Sequence, residues 1–94
     1  MAKYSPCINE ACFFTETPKE YCVVHHIFNG NPNRKLSEKW GMKIYVVPRW
    51  HNFEDYSIHM NEETDLIVKR YGQEIFEAEH GHDKFVKTFG RSWI

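Results

Sequence analysis

Two adjacent histidines, His25 and His26, and a later one, His51, are the residues whose types and spacing suit catalysis. Near pH 7, one neutral imidazole can bind a divalent cation while another removes a proton from water. Neighbouring side chains on a strand point to opposite faces, so the adjacent pair can divide these roles. We predict that His25 and His51 hold a metal ion that polarises a scissile phosphate, with Asp55, at i+4 from His51, as a further candidate ligand. His59 is expected to support a ligand rather than to bind the ion itself.

The elements that must position these residues follow the order strand, long loop, strand, helix. Residues 21–28 are rich in β-branched and aromatic side chains and stop at an Asn-Gly-Asn-Pro turn, which predicts a strand. Asn33 is the predicted cap of a short helix over residues 34–40. Residues 42–47 form a second predicted strand, and a proline directly after it suits the first turn of a short helix over residues 49–55.

The two ends of the chain differ in regularity. Residues 1–20 show no clean period and contain two prolines, so we predict an irregular arm. Asn61 is the predicted cap of a longer helix over residues 62–79, ended by Gly81. The predicted core stripe of that helix is Ile67, Tyr71 and Ile75. Asp83 is expected to cap a last short helix whose inward side chains are Phe85, Val86 and Phe89.

Length and composition predict one small α+β domain over residues 1–94. A chain of 94 residues has room for one core, and aromatic residues make up 16% of it. No apolar run approaches the roughly 18 residues of a membrane span, and the N-terminus lacks the pattern of a signal peptide, which favours a cytoplasmic protein. The cysteines match neither an even disulfide set nor a CxxC pair, and reduced thiols are expected at Cys7, Cys12 and Cys22.

Charge is distributed unevenly although the formal net charge is only −1. Residues 29–52 contain five basic residues against one acid, whereas residues 53–84 contain nine acids against three bases. Phosphate binding is therefore expected near the first segment and not near the second. The candidate nucleic-acid contacts are Arg34, Lys35, Lys39 and Arg49.

Four stretches carry a family resemblance: HHIFNGNPNRKLSEKWG, VVPRWHN, IHMN and FVKTFGRSWI. They resemble small phage HNH, or ββα-metal, proteins of the recombination-enhancement nuclease type, over most of the chain from Cys12 onward. The resemblance implies that His25 is a metal ligand, that His26 is the general base and that His51 is a further ligand. It also implies an asparagine that organises the loop between the strands, which we assign to Asn33, with Asn31 as the alternative.

The sequence departs from this family where many members carry cysteines for a structural zinc. The first cysteine pair is replaced by Cys12-Phe13-Phe14-Thr15 and the second by Val47-Pro48-Arg49-Trp50. One thiol out of four cannot form a tetrahedral site, so no structural zinc is expected. Apolar packing by Phe13, Phe14, Val47 and Trp50 is expected in its place.

Together these features predict a single domain centred on a ββα-metal unit, supported by the long helix and the short final helix. The expected function is metal-dependent cutting or nicking of DNA, single-stranded DNA included, in a phage or prophage within a bacterial host cell. Mg²⁺ or Mn²⁺ is the expected ion, with Zn²⁺ as the alternative.

The competing hypothesis is an inactive HNH scaffold that binds protein, for instance a host recombination or defence complex, with an acidic helix that mimics nucleic acid. The oligomeric state is open. Convergence of His25, His26 and His51 is the feature that separates the two hypotheses.

Overall fold

The chain folds as an α+β domain in the computed structural model, which describes residues 7–94. The elements are β1 (Val23–His26), α1 (Asn33–Trp40), β2 (Lys43–Val46), a π-helical turn (Arg49–Phe53), α2 (Glu62–His80) and α3 (His82–Phe89). A short 3-10 turn (Lys19–Tyr21) precedes β1. This order confirms the predicted α+β class and the two strands with a long connection between them. The short helix predicted over residues 49–55 is instead a π-helical turn that ends at Phe53. The first six residues of the predicted arm lie outside the described part of the chain.

The two strands pair antiparallel and carry α1 in the connection between them. His25 lies opposite Ile44, and His26 lies opposite Lys43. The backbone pairing continues past the strand end, where the Ile27 amide donates to the Met42 carbonyl at 2.9 Å. This register sends His25 into the core and His26 to the other face, as the alternation of a strand requires.

The segment before β1 is irregular, as predicted, but it is part of the packed domain. Its amides at Ile8 and Phe13 donate to the carbonyls of Lys43 and Tyr45, both at 2.9 Å. These bonds satisfy backbone groups on the edge of β2 that faces away from β1, and Cys12 is buried beneath them. The N-terminal segment therefore closes one edge of the sheet.

Helix α1 is joined to the end of β1 by a buried serine. The Ser37 hydroxyl donates to the Phe28 carbonyl at 2.7 Å and accepts the Phe28 amide at 3.0 Å. The predicted cap was wrong: Asn33 is the first helical residue, and Pro32 occupies the cap position without a side-chain hydrogen bond. Asn33 instead donates from Nδ2 to the Phe89 carbonyl at 3.2 Å, which connects the start of α1 to the end of α3.

Helix α2 begins as predicted, because the Asn61 side chain accepts the Thr64 amide at 3.1 Å. The predicted core stripe was wrong by one position: Ile67 is 56% exposed, although Ile75 still packs against the core. The buried face consists of Thr64, Val68, Gly72, Gln73 and Phe76. The apolar pattern missed this face because polar groups on it are satisfied internally, as where the Thr64 hydroxyl donates to the Tyr56 carbonyl at 2.8 Å.

Helix α3 completes the core. It begins at His82 directly after Gly81, so Asp83 lies in its first turn and is not the predicted cap. Phe85 and Phe89 are buried as predicted, with ring centroids 5.3 and 4.5 Å from that of Phe28, and Val86 is only partly buried. Within residues 7–94, no helix combines the length and the apolar character needed to cross a membrane.

The close contact of α2 with the end of β1 predicts a measurable cost for Gly72→Ala. An added Cβ would lie 3.0 Å from both Cδ1 and Cγ2 of the fully buried Ile27. Alanine improves helix propensity by about 1 kcal/mol, but overpacking a core costs about 1–3 kcal/mol. We expect a net loss of about 1 kcal/mol in urea unfolding.

The matched test of this contact is the same substitution in an Ile27→Val background, which removes Cδ1. Gly72→Ala should cost less in that background, and Glu74→Ala, on the exposed side of α2, should cost little in either. Equal costs of Gly72→Ala in both backgrounds would show that Cδ1 of Ile27 is not the obstacle.

Candidate metal centre

Three histidines converge beside the sheet: His25, His51 and His59. One potential ligand atom from each lies within 4.8 Å of the other two. The Nε2 atoms of His51 and His59 are 3.1 Å apart, and the ring centroid of His25 is 5.3 Å from that of His51 and 5.1 Å from that of His59. Among the described residues, these three side chains form the group of potential metal ligands.

Local backbone structure brings His51 and His59 together. The π-helical turn after β2 carries His51, and the chain then returns so that the His59 amide donates to the His51 carbonyl at 3.1 Å. One residue earlier, the Ile58 amide donates to the Trp50 carbonyl at 2.8 Å. Ile58 is buried and Trp50 packs against the core, so apolar burial holds both sides of this closed loop. His25 approaches from the inner face of β1.

Burial keeps two of the three histidines, His25 and His51, uncharged. His25 is 2% exposed, and loss of solvation lowers its pKa to about 3, with further lowering from His51 and His59. Burial also lowers the pKa of His51, again with a contribution from His59. Neutral imidazole is the form that binds metal ions, so these two side chains are in the metal-binding state at pH 7.

The buried ring of His25 lacks a hydrogen-bond partner for one polar atom. Its Nε2 is inaccessible to solvent and has no partner among the described residues. An unsatisfied buried polar group costs about 1–3 kcal/mol, and a cation bound to this nitrogen would remove that cost. Two imidazole nitrogens bound to one ion at about 2.0–2.1 Å lie roughly 2.9–3.4 Å apart, depending on the bond angle. The Nε2 atoms of His51 and His59, which share a hydrogen bond at 3.1 Å, have a separation that would also fit such an ion.

Asp55, predicted as a candidate ligand, is exposed and is not a member of this group. The reason is the geometry of the turn. The π-helical turn ends at Phe53, and Glu54 is already extended, so the α-helical i+4 relation between His51 and Asp55 does not exist. His59, expected behind the ligands, is instead a member of the group.

The adjacent His26 lies on the opposite face, as its position on the strand predicts. Its Nε2 is 2.9 Å from Oε1 of Glu38, and Nζ of Lys43 is 3.0 Å from the other oxygen of the same carboxyl group. These two contacts lower the pKa of Glu38, that with His26 more than that with Lys43. The convergence of His25, His26 and His51 that was to separate the two functional hypotheses is met only in part. His25 and His51 come together, but His26 is not a member of the three-histidine group.

An open surface depression surrounds His26. It is lined by His26, Gly30, Asn31, Arg34, Lys35 and Glu38. Two of the four predicted nucleic-acid contacts, Arg34 and Lys35, are therefore beside the histidine predicted to be the general base. Lys39 and Arg49 are exposed but do not line this depression. Asn33, predicted to organise the loop, is engaged with α3 as described above.

Aromatic packing surrounds the two segments for which the sequence predicts apolar contacts in place of a structural zinc. Phe14 stacks on Trp50 with ring centroids 4.2 Å apart, and Phe13 contacts Tyr71 at 4.9 Å. The Cys12 sulfur accepts the Val47 amide at 3.4 Å. All three cysteines are free thiols. This packing provides the contacts expected in place of a structural zinc, whose absence stays a prediction.

Two residues have positions at the site that the sequence did not predict: Glu38, which contacts His26, and His59, which belongs to the cluster. Glu38 is the one acid in the basic segment and stands one helical turn after Arg34, a spacing that could have indicated a shared surface. The IHMN stretch contains His59, but nothing in its spacing indicates that the chain returns to His51. That return depends on a turn whose geometry has no local sequence pattern.

The neutral, buried state of His25 predicts a pH dependence of stability. His25 protonates near pH 6.5 in the unfolded chain and near pH 3 in the folded protein. Between these values the unfolded state binds more protons, so the free energy of unfolding falls as the pH is lowered. From His25 we expect a slope of up to about 1.4 kcal/mol per pH unit in this window. Urea unfolding between pH 4 and pH 7, in the presence of a chelator, measures it.

The control for this pH effect is His25→Gln, which retains a polar side chain but does not titrate. Its free energy of unfolding should depend less on pH than that of the wild type, because the carboxyl groups that titrate in the same range are common to both proteins. Identical slopes in the two proteins would show that His25 is not kept neutral by the fold.

Comparison of the chain with protein-family models, with curated proteins and with solved structures finds no match. We therefore infer its function from the three-histidine cluster, the depression around His26 and the charged side chains that line this depression.

Proposed function

We propose that this protein is a metal-dependent endonuclease of the HNH type that cuts or nicks the DNA backbone. The observation that carries the proposal is the three-histidine cluster with its buried, unpartnered His25 nitrogen. A fourth histidine, His26, follows His25 in the sequence and lines a depression together with two cationic side chains. Metal ligands, a base and phosphate contacts are the three components that hydrolysis of a phosphodiester requires.

The donor set favours a transition-metal ion, Zn²⁺ or Mn²⁺, over Mg²⁺. All three candidate ligands are imidazoles, whereas Mg²⁺ prefers carboxylate and other oxygen ligands. His25, His51 and His59 would hold the ion, and three protein ligands leave a position open to substrate. The bound ion would supply polarisation of the phosphodiester and stabilisation of the departing oxygen.

His26 and two cationic side chains lie together on the outer face of β1, whereas the three-histidine cluster lies on its inner face. The proposal therefore requires a substrate that reaches both faces of the strand. His26, on the outer face, would remove the proton from the attacking water. Arg34 and Lys35 would hold the phosphate oxygens against the depression, and they would do so without reading base sequence.

The acidic surface supports a second candidate function, that of an inactive HNH scaffold that binds protein. Glu62 and Glu63 are exposed in the first turn of α2, and Glu74 and Glu79 are exposed further along it. These exposed carboxylates could mimic the phosphates of nucleic acid and meet a basic partner, for instance a host recombination or defence protein. It has no requirement for the buried histidine cluster, which is why we place it second.

The nuclease hypothesis predicts distinct effects for two histidines. With Mn²⁺ or Zn²⁺ present, His26→Ala should reduce the rate of DNA cleavage by about 10²–10⁴-fold, the contribution of a general base, and leave metal affinity unchanged. His59→Ala should weaken metal binding by at least about tenfold, because a ligand is lost. Calorimetric titration of the chelator-treated protein and a plasmid-nicking assay measure the two effects.

The matched control is His82→Ala, an exposed histidine at the start of α3 that should change neither property. Cleavage by His26→Ala at the wild-type rate would remove His26 from the mechanism. Unchanged metal affinity in His59→Ala would remove this histidine from the ligand set.

Charge reversal separates the nuclease from the protein-binding alternative. In the nuclease, Arg34→Glu with Lys35→Glu should abolish DNA binding, whereas Glu74→Lys with Glu79→Lys should preserve or strengthen it. Wild-type affinity should fall by roughly one power of salt concentration for each phosphate contact. Fluorescence anisotropy with a labelled oligonucleotide, over a range of salt concentrations, measures both effects. Weak DNA binding that is insensitive to Arg34 and Lys35 would favour the protein-binding alternative.

A further inference from the structure

We propose that Glu38 is the positioning residue of this site: it holds the His26 ring in the one tautomer and orientation that leave Nδ1 free to accept a proton. The inference rests on the proposed function for its catalytic consequence. The state of the ring itself can be measured without any cleavage assay.

The contacts of Glu38 are divided between its two oxygens. Oε1 is 2.9 Å from Nε2 of His26, and Oε2 is 3.0 Å from Nζ of Lys43. Lys43 lies directly opposite His26 in the sheet, so the carboxyl group bridges a cross-strand pair. The Lys43 side chain is only 3% exposed, whereas that of Glu38 is 44% exposed. One end of the bridge is therefore anchored in the protein interior, and the other end opens onto the depression.

The chemistry of this bridge selects one tautomer of His26. An ionised carboxylate can only accept hydrogen bonds, so the His26 nitrogen that faces Glu38 must carry the proton. In neutral imidazole the proton resides on one nitrogen, which leaves the lone pair on Nδ1. The buried Lys43 ammonium favours the ionised form of Glu38, and the pKa of Glu38 is lowered by His26 and by Lys43. The carboxyl group is thus kept as an acceptor.

A purely structural role for Glu38 would be to neutralise Lys43, because a buried ammonium group without an anion is costly. That role needs one carboxylate oxygen and makes no demand on His26. The second oxygen is directed at the histidine, and the same α1 surface presents Arg34 and Lys35 to the depression. The arrangement therefore fixes one nitrogen of His26 beside the cationic side chains that would bind a phosphate.

The test is the ring state of His26 in the metal-free, full-length protein at neutral pH, read from long-range ¹H–¹⁵N correlations of the histidine side chains. In the wild type we expect a single tautomer with the proton on Nε2. In Glu38→Gln we expect a mixture of tautomers, because an amide can either donate to the ring or accept from it. The matched control is Glu74→Gln on α2, which should leave the His26 signals unchanged.

Kinetics of the metal-loaded protein give the second measurement. Glu38→Gln should lower kcat by about 10–100-fold while KM for DNA changes less than about threefold, because the substitution acts on the base and not on phosphate contacts. Lys35→Gln should instead raise KM for DNA and change kcat less. The thermal midpoint of each variant controls for loss of folded protein.

The possible results separate this inference from the proposed function. A wild-type His26 protonated on Nδ1, or equally on both nitrogens, overturns the inference whether or not the protein cleaves DNA, and so does a tautomer that Glu38→Gln leaves unchanged. A single Nε2-protonated tautomer that depends on Glu38, in a protein without nuclease activity, supports the role of Glu38 on the ring and removes the proposed function.

Discussion

The antiparallel register of β1 and β2 is the constraint on which the site depends. Opposite Ile44, His25 enters the core, and opposite Lys43, His26 remains at the surface. A slip of one residue would exchange the two faces of the strand, so His25 would be in solvent and His26 would be buried in its place. Several contacts outside the strands oppose such a slip: Ser37 is bonded to both polar backbone atoms of Phe28, and the N-terminal segment pairs with the far edge of β2.

Burial of His25 has a cost that the rest of the fold must offset. A neutral imidazole with an unsatisfied nitrogen is less stable in the interior than an apolar side chain of similar size, and acid conditions increase the difference. The aromatic core formed by Phe28, Phe76, Phe85 and Phe89 supplies stabilisation at a distance from the site. Near the histidines, the stack of Phe14 on Trp50 holds the start of the π-helical turn. Stabilisation by apolar contacts therefore surrounds a polar centre that is itself destabilising without a ligand.

The sequence predicts those features that depend on neighbours along the chain. The strands, the Asn61 cap and the opposite orientation of His25 and His26 follow from local patterns, and the structure contains them. The predictions are wrong where contacts between residues distant in the sequence determine the structure. The inward face of α2 includes Gly72 because the Ile27 side chain packs where a Cβ would lie. Asn33 does not cap α1, and its side chain donates a hydrogen bond to the Phe89 carbonyl. His59 joins the cluster because the loop after His51 closes on itself, which depends on backbone hydrogen bonds and not on a residue pattern.

The two faces of β1 create different electrostatic environments within one residue of each other. On the inner face, desolvation keeps imidazoles neutral and available to a cation. On the outer face, a partly exposed carboxylate holds both a histidine and a buried lysine, and the cationic side chains of Arg34 and Lys35 stand beside it. A phosphate that approached this outer face would meet positive charge, whereas the exposed acids of α2 would repel it. The charges therefore favour the face on which His26 lies, rather than the exposed acids of α2, as the place where a phosphate would bind.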